Sequence, residues 1–480
     1  MSSFLVISLI VGFFGMLFLV SYFSSRHSTG ETFFTGNRHS PWYLVAFGMI
    51  GSTISGVTFI SVPGEVGASA WTYLQFLLGN FVGYWLIAFV LIPLYYRLNL
   101  VSIYTYLDKR FGIHSYRTSA FFFIVSQSIS ASFRLYLAVV VLQVAFFDRM
   151  NIPFWLTVLL TLAVIWLYTR KAGIKTVVWT DTIQTVFILA AVAITIVVIS
   201  RHFQMSIGGL CRTIADNPLS RIFDWDWHSK TNFVKQFAAG IGITFAINGL
   251  DQNMMQKHLT CRTRRDACKN IVWFSFAFLI ANILFLSLGV LLYIYVGRQG
   301  IDIPAHTDDL YPMLAINYFG PFVGALFLAG ILSAAYSSAD SALTALTTSF
   351  CIDILNIKPD APDRKSLRTW VHVGFTLLMF AIITLFRIIN NDSVVTAVFR
   401  VAGYTYGPLV GLFLFGMITK RPVRDRYVPL VCLLSPVICA VFSFNSEQWF
   451  GGYRFGNELL LLNSLLTFVG LWALSKSMKK

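Results

Sequence analysis

Residues 331–349, ILSAAYSSADSALTALTTS, set eight Ser and Thr hydroxyls and one carboxylate inside an apolar run. At helical spacing Ser333, Ser337, Ser341 and Thr344 or Thr348 fall along one face, with Ser338 and Asp340 beside it. Hydroxyl, carbonyl and carboxylate oxygens are the donors that a small hard cation takes. The stretch therefore reads as part of a cation site, with Na+ the expected ion. Ser and Thr also let membrane helices pack closely and bond back to their own carbonyls. Asp340 tips the balance, because a carboxylate at mid-bilayer costs on the order of 3 kcal/mol and must face a partner or a wet cavity.

The composition supplies the membrane. The 480 residues are 56% hydrophobic and 12% charged, with a mean hydropathy of +0.70, against about 25% charged residues in soluble domains. Apolar segments of spanning length occur at roughly 2–23, 42–66, 69–96, 118–146, 153–169, 176–200, 232–255, 271–297, 317–350, 369–387, 394–418, 427–444 and 457–475. Of the 36 Lys and Arg residues, 25 fall on one side of this alternating layout and 9 on the other, with Arg134 and Arg400 inside segments. The positive-inside rule then gives an all-α integral membrane protein of about 13 transmembrane helices, N-terminus outside and C-terminus inside. The +15 net charge belongs to this pattern and points to a lipid bilayer, with no nucleic-acid partner. No basic n-region precedes residues 2–23 and no small-residue cleavage site follows, so the first helix is expected to be retained. The six cysteines lack metal or disulfide spacing.

Two segments carry interrupting residues: Gly48, Gly51, Gly56 and Pro63-Gly64 in the second, and Gly240, Gly242 and Gly249 in the seventh. They stand five helices apart, and an odd offset gives the two halves opposite orientation. Broken helices at matching places in inverted halves point to a transport site, where freed carbonyls line a cavity. The 201–231 connection, with Trp225, Asp226, Trp227 and His228, either caps the outer entrance or covers helix ends.

Four motifs in order, GETFFTGNRHSPWYLVAFGMIGSTISG (30–56), AGIKTVVWTDTIQ (172–184), GLDQNMMQKHL (249–259) and LSAAYSSADSALTAL (332–346), resemble the sodium/solute symporter family. The resemblance runs from the first helix to about residue 420. It implies a leucine-transporter-like 5+5 inverted repeat within a single transporter domain spanning 1–480. Residues 2–23 form the leading helix, 42–200 the first repeat, 232–418 the second, and 427–475 two additional C-terminal helices. It implies Na+ as coupling ion, held by the carbonyls of Gly51, Ile54 and Ala334 and the hydroxyls of Ser337 and Ser338, with no organic cofactor. It also implies a possible second cation site at Asp181, Asp340 and Ser341, alongside Ser337. Asp340 stands where relatives often have Ser; it strengthens that site, makes it proton-sensitive, or pairs with an Arg. Asp181 has the alternative of pairing with Arg170, Lys171 or Lys175.

For the solute, the resemblance implies Thr53, Ser55 and Thr58, while Gln75 is placed by spacing alone. Arg134 lies too deep to snorkel and must meet a carboxylate, either the protein's own (Asp340 or Asp181) or the solute's. Arg400 stands near a position where relatives present a solute-facing Gln. Asp251-Gln252 reads as a structural or gating element. The expected function is sodium-coupled symport of a small, possibly anionic, organic solute across the cell membrane by alternating access. The alternative is a proton-coupled or sodium-independent transporter on the same scaffold. No Ser-His-Asp, HExxH or Gly-rich phosphate pattern suggests an enzyme, and no appended domain is expected after Lys480.

Overall fold

A computed structural model describes the chain except for residues 1–2, 27–29, 144–146, 171–172, 228, 230, 305, 358–364, 390–393, 450–454, 456–458 and 476–480. Long apolar runs become helices because a bilayer offers no partner for an unpaired backbone amide. In chain order these are α1 (Ser3–Ser25), α2 (Trp42–Thr53), α3 (Gly56–Ser69), α4 (Tyr73–Leu86, continued to Arg97 through a π turn), α5 (Ile113–Leu142), α6 (Phe154–Thr169) and α7 (Ile174–His202). The rest are α8 (Phe233–Ile243, ending in a π turn at Thr244–Asn248), α9 (Gln252–His258), α10 (Arg264–Gln299), α11 (Gly320–Ser349), α12 (Lys365–Ile389), α13 (Val394–Ile418), α14 (Val428–Phe444) and α15 (Leu459–Leu474). Among the described residues eight helices are long and apolar enough to cross a membrane. The α8–α9 pair, bent by 77°, makes a ninth, and four shorter apolar helices stand at the remaining expected places.

Local chemistry sets the helix boundaries. Ser55 caps α3 by accepting from Thr58 N, and Asn232 caps α8 by accepting from Val234 N and Lys235 N. Thr263 accepts from Asp266 N at 3.1 Å and donates to the Asp266 carboxylate at 2.7 Å, a capping box that starts α10. Asp251 accepts from Asn253 N at 2.7 Å and Met254 N at 3.3 Å, which restarts the chain as α9 after the bend.

Helix α11 is the axis of the bundle. Every residue from Phe327 to Ser349 is buried, against α2, α3, α5 and α7. The expected hydroxyl face therefore has no apolar counterpart turned to lipid; protein surrounds α11 on all sides, which is why it tolerates a carboxylate.

The interrupting glycines divide into two roles. The first break lies at Ile54-Ser55 and the second at Gly249–Asp251, whereas Gly48, Gly51, Gly240 and Gly242 sit inside regular helix, and Gly64 likewise. Of these, Gly240 is a contact point: a Cβ there would fall 2.2 Å from Phe76 O, and one at Gly79 2.2 Å from Phe237 O, so α4 and α8 meet backbone to backbone. The 201–231 connection lies over helix ends, with Trp71 N bonded to Arg221 O at 3.1 Å, while Trp225 and Trp227 stay exposed. Its His228 lies outside the described residues.

Gly240→Leu should lose the folded, monodisperse species in size-exclusion chromatography, since overpacking costs about 1–3 kcal/mol even where side chains can give. Gly242→Leu, whose nearest neighbour is the tip of Leu461 at 3.2 Å, should retain it.

Candidate cation and solute sites

The first break frees backbone oxygens. Ile54 N still donates to Ile50 O at 2.8 Å, but Ile54 (φ −75°, ψ 92°) and Ser55 (φ −73°, ψ 165°) are extended. The carbonyls of the last α2 turn therefore have no helical amide ahead of them. Helix α11 packs onto this gap: a Cβ at Gly56 would lie 3.8 Å from Ala335 Cβ. The Ser338 hydroxyl stands 3.5 Å from Ser52 O. Gly51 is needed for close approach, as its N–H donates to Thr185 Oγ1 at 3.0 Å and a Cβ there would fall 2.5 Å from that oxygen. The structure thus sets the α2 turn holding Gly51 and Ile54 against the α11 turn holding Ala334, Ser337 and Ser338. Their oxygens are neutral, a donor set suited to a hard monovalent ion held weakly enough to leave.

The second break spends its oxygens inside the protein. Tyr95 donates to Gly249 O at 3.1 Å and Tyr104 to Leu250 O at 3.2 Å. Gln252 is fixed by Ile103 N at 3.0 Å and Val101 O at 2.9 Å. Among the described residues no such tyrosine bonds close the first break.

Beside the first break lie two buried carboxylates. Asp181 pairs with Lys257, Nζ to Oδ2 2.6 Å, each side chain about 1% exposed, and its other oxygen accepts from Ser337. Among the described residues neither Arg170 nor Lys175 is paired with it, and Lys171 lies outside them. Asp340 meets no Arg among the described residues. Its oxygens accept from Tyr168 at 2.9 Å, Thr180 at 3.4 Å and Ser341 at 3.2 Å. The residues expected for a second cation site are therefore brought together, and a lysine is already among them. Lys257 was missed because it reads as one more inner-side charge. The signal was present nonetheless, for a cation following a break deep in the membrane needs a carboxylate as surely as Asp340 needs a partner.

A cavity of about 700 Å³ opens from the first break toward Glu65–Ala70 and His306–Asp308, ends that the charge pattern assigns to the outside. Thr53, Ser55, Thr58 and Arg134 all line it, with Ser130 and Tyr406. The buried hydroxyls of Thr53 and Ser130 have no hydrogen-bond partner among the described residues. Among the described residues Arg134 has no carboxylate within 4.0 Å, so neither Asp340 nor Asp181 is its partner. Gln75 is not on this wall. Its amide bonds Thr231 O at 2.8 Å and Asp224 N at 3.2 Å, tying the outer connection down, because the loop, which helical spacing cannot reveal, covers that face. Arg400 lies on α13, but its side chain is outside the described residues.

Cavity and carboxylates are linked. Tyr406 donates to Asp251, the cap of α9, and six residues on the same seven-residue helix carries Lys257 onto Asp181.

The sodium:solute symporter family model matches residues 33–425. The chain is similar to the sodium/sialic acid symporter SiaT of Proteus mirabilis, 25% identical over 93% of this chain and 91% of that protein. It is similar also to the sodium/sialic acid symporter NanT of Aliivibrio fischeri, 26% identical over 83% and 80%. The human sodium/iodide cotransporter is 28% identical over 81% of this chain and 61% of its own length. A solved Na+-coupled sialic acid symporter in a substrate-bound outward-open state superposes with a TM-score of 0.83, covering 99% of each chain at 20% identity. The nucleobase-cation-symport transporter Mhp1 superposes with 0.61, covering 91% of this chain and 92% of its own at 13% identity. Both share the fold.

Asp181→Ala or Lys257→Ala should each lower stability by about 3–5 kcal/mol, the cost of leaving one buried charge unpaired. The double Ala variant should lose less than the two single losses summed. Thermal denaturation of the purified proteins in detergent tests this.

Proposed function

The chain belongs to the sodium:solute symporter family, and from that premise we propose that it carries a small organic anion into the cell, held at Arg134 and drawn in by Na+ bound between α2–α3 and α11. Sodium-coupled symport by alternating access in a multi-pass membrane protein comes with the family. The solute class and the residues are our reading. The observation that carries it is the guanidinium of Arg134, with no carboxylate within 4.0 Å among the described residues, on the wall of a cavity that begins at the broken helix.

The arrangement works by shared geometry. Na+ enters through the outward cavity and takes the carbonyls of Gly51, Ile54 and Ala334 with the hydroxyls of Ser337 and Ser338. Ser337 can donate its proton to Asp181 and still offer lone pairs to the ion. An ion bridging the break to α11 fixes the positions of Thr53, Ser55 and Thr58, which line the same cavity. The solute's carboxylate takes the Arg134 fork, and its polar groups take Thr53 and Ser130. Because ion and solute stabilise one conformation, each raises the other's affinity. A tenfold Na+ gradient supplies about 1.4 kcal/mol per ion, and 100 mV adds about 2.3 kcal/mol per net charge moved.

Thirteen passes with the N-terminus outside, two inverted five-helix repeats at 42–200 and 232–418, and no enzymatic step complete the reading. The named cargoes of the relatives, sialic acid, iodide and monocarboxylates, are all anions, which supports an anionic solute. The cavity volume suits a molecule of monosaccharide size.

Ser338→Ala should raise the half-saturating Na+ concentration at least tenfold, about 1.4 kcal/mol, with folded yield unchanged; an unaltered sodium dependence removes this site. In proteoliposomes offered sialic acid, lactate and iodide with and without Na+, uptake of a carboxylate solute should require Na+ and vanish in Arg134→Gln. Uptake that persists without Na+ and grows on acidification favours proton coupling instead.

A further inference from the structure

We propose that the Lys257 ammonium stands in for a second cation, so that this transporter binds one Na+ per chain. The inference rests on the reading of the first break and Ala334–Ser338 as the sodium site, and concerns the neighbouring carboxylates. Asp181, Ser337, Asp340 and Ser341 form a group with the charge and oxygens to hold a cation of its own. A mobile ion there needs negative charge that no fixed cation already matches. Asp181 pairs with Lys257 at 2.6 Å and accepts from Ser337, while Asp340 accepts from Tyr168, Thr180 and Ser341, so each carboxylate is held by the protein and the charge of Asp181 is already matched by an ammonium.

The lysine cannot withdraw to water in this conformation, being about 1% exposed, and its ammonium would repel an ion placed beside it. The tether is also positioned. Lys257 rides on α9, whose cap Asp251 accepts a hydrogen bond from the cavity-lining Tyr406. The fixed charge therefore sits on the element that joins the solute cavity to α7 and α11. A covalently held cation makes no demand on the sodium gradient and leaves with no cycle.

Equilibrium binding of radioactive ²²Na+ to the purified full chain in lipid nanodiscs, with no solute added, counts the ions. The expected result is saturation at one Na+ per chain for the wild type and a loss of that ion in Ser338→Ala at the same concentration. Lys257→Gln, with the carboxylate released, should bind two. A wild-type chain that binds two ions, one of them lost in Ser338→Ala, overturns this inference and keeps the sodium site. A folded Lys257→Gln protein that still binds one also overturns it. A wild type that binds none removes the sodium reading, and this inference with it. Should Lys257→Gln fail to fold, the wild-type count decides alone.

Discussion

A carbonyl released from its helix inside a membrane must find another partner, for hydrocarbon offers none. The chain releases carbonyls twice, at Ile54-Ser55 and at Gly249–Asp251, and answers differently each time. At the second break the hydroxyls of Tyr95 and Tyr104 fill the vacant acceptors, and Asp251 restarts the helix. At the first, the Ser338 hydroxyl stands at the long distance of 3.5 Å from Ser52 O. One break is closed by protein, and the other is where we propose that Na+ binds. The placement of α11, of the cavity and of the solute groups follows from that asymmetry.

Buried charge is handled with the same economy. Asp340 is tolerated because α11 is surrounded by protein from Phe327 to Ser349 and three hydroxyls reach the carboxylate. Asp181 is tolerated because α9 delivers Lys257 to it. A buried pair of this kind adds little net stability, since desolvation offsets much of the attraction. What it does is join α7, α9 and α11 through Asp181, which pairs with Lys257 and accepts from Ser337. Arg134 lines the cavity with no carboxylate within 4.0 Å among the described residues. A fixed ammonium among the carboxylates has a further consequence: one Na+ with a monovalent anion moves no net charge, and the gradient of the ion alone then drives uptake.

The helical class was readable from the sequence because a bilayer leaves a long apolar run no other fold, and among the described residues eight helices, or nine with the bent pair, are long and apolar enough to cross a membrane. The cation candidates were readable as well, since hydroxyls and a carboxylate in such a run need a reason. What could not be read is distance. Gly240 looked like a helix breaker and is the point where two backbones touch, because glycine serves both purposes with the same letter. Gln75 had the spacing to face a solute, yet the loop at 224–231 claims its amide, and no periodicity within one helix announces a loop 150 residues away. Lys257 sits in a polar stretch that resembles an inner-side turn, and its partner lies 76 residues earlier. The rule that exposed Asp340, that a charge at depth needs a partner, applied to it equally.

The claim that all of this depends on is that Na+ bridges the broken helix and α11. Hydrogen–deuterium exchange of the protein in nanodiscs, in NaCl against KCl at equal ionic strength, tests it directly. The account predicts protection by Na+ that is confined to two stretches, about residues 50–59 and 331–342. Equal exchange in the two salts across both stretches would contradict it.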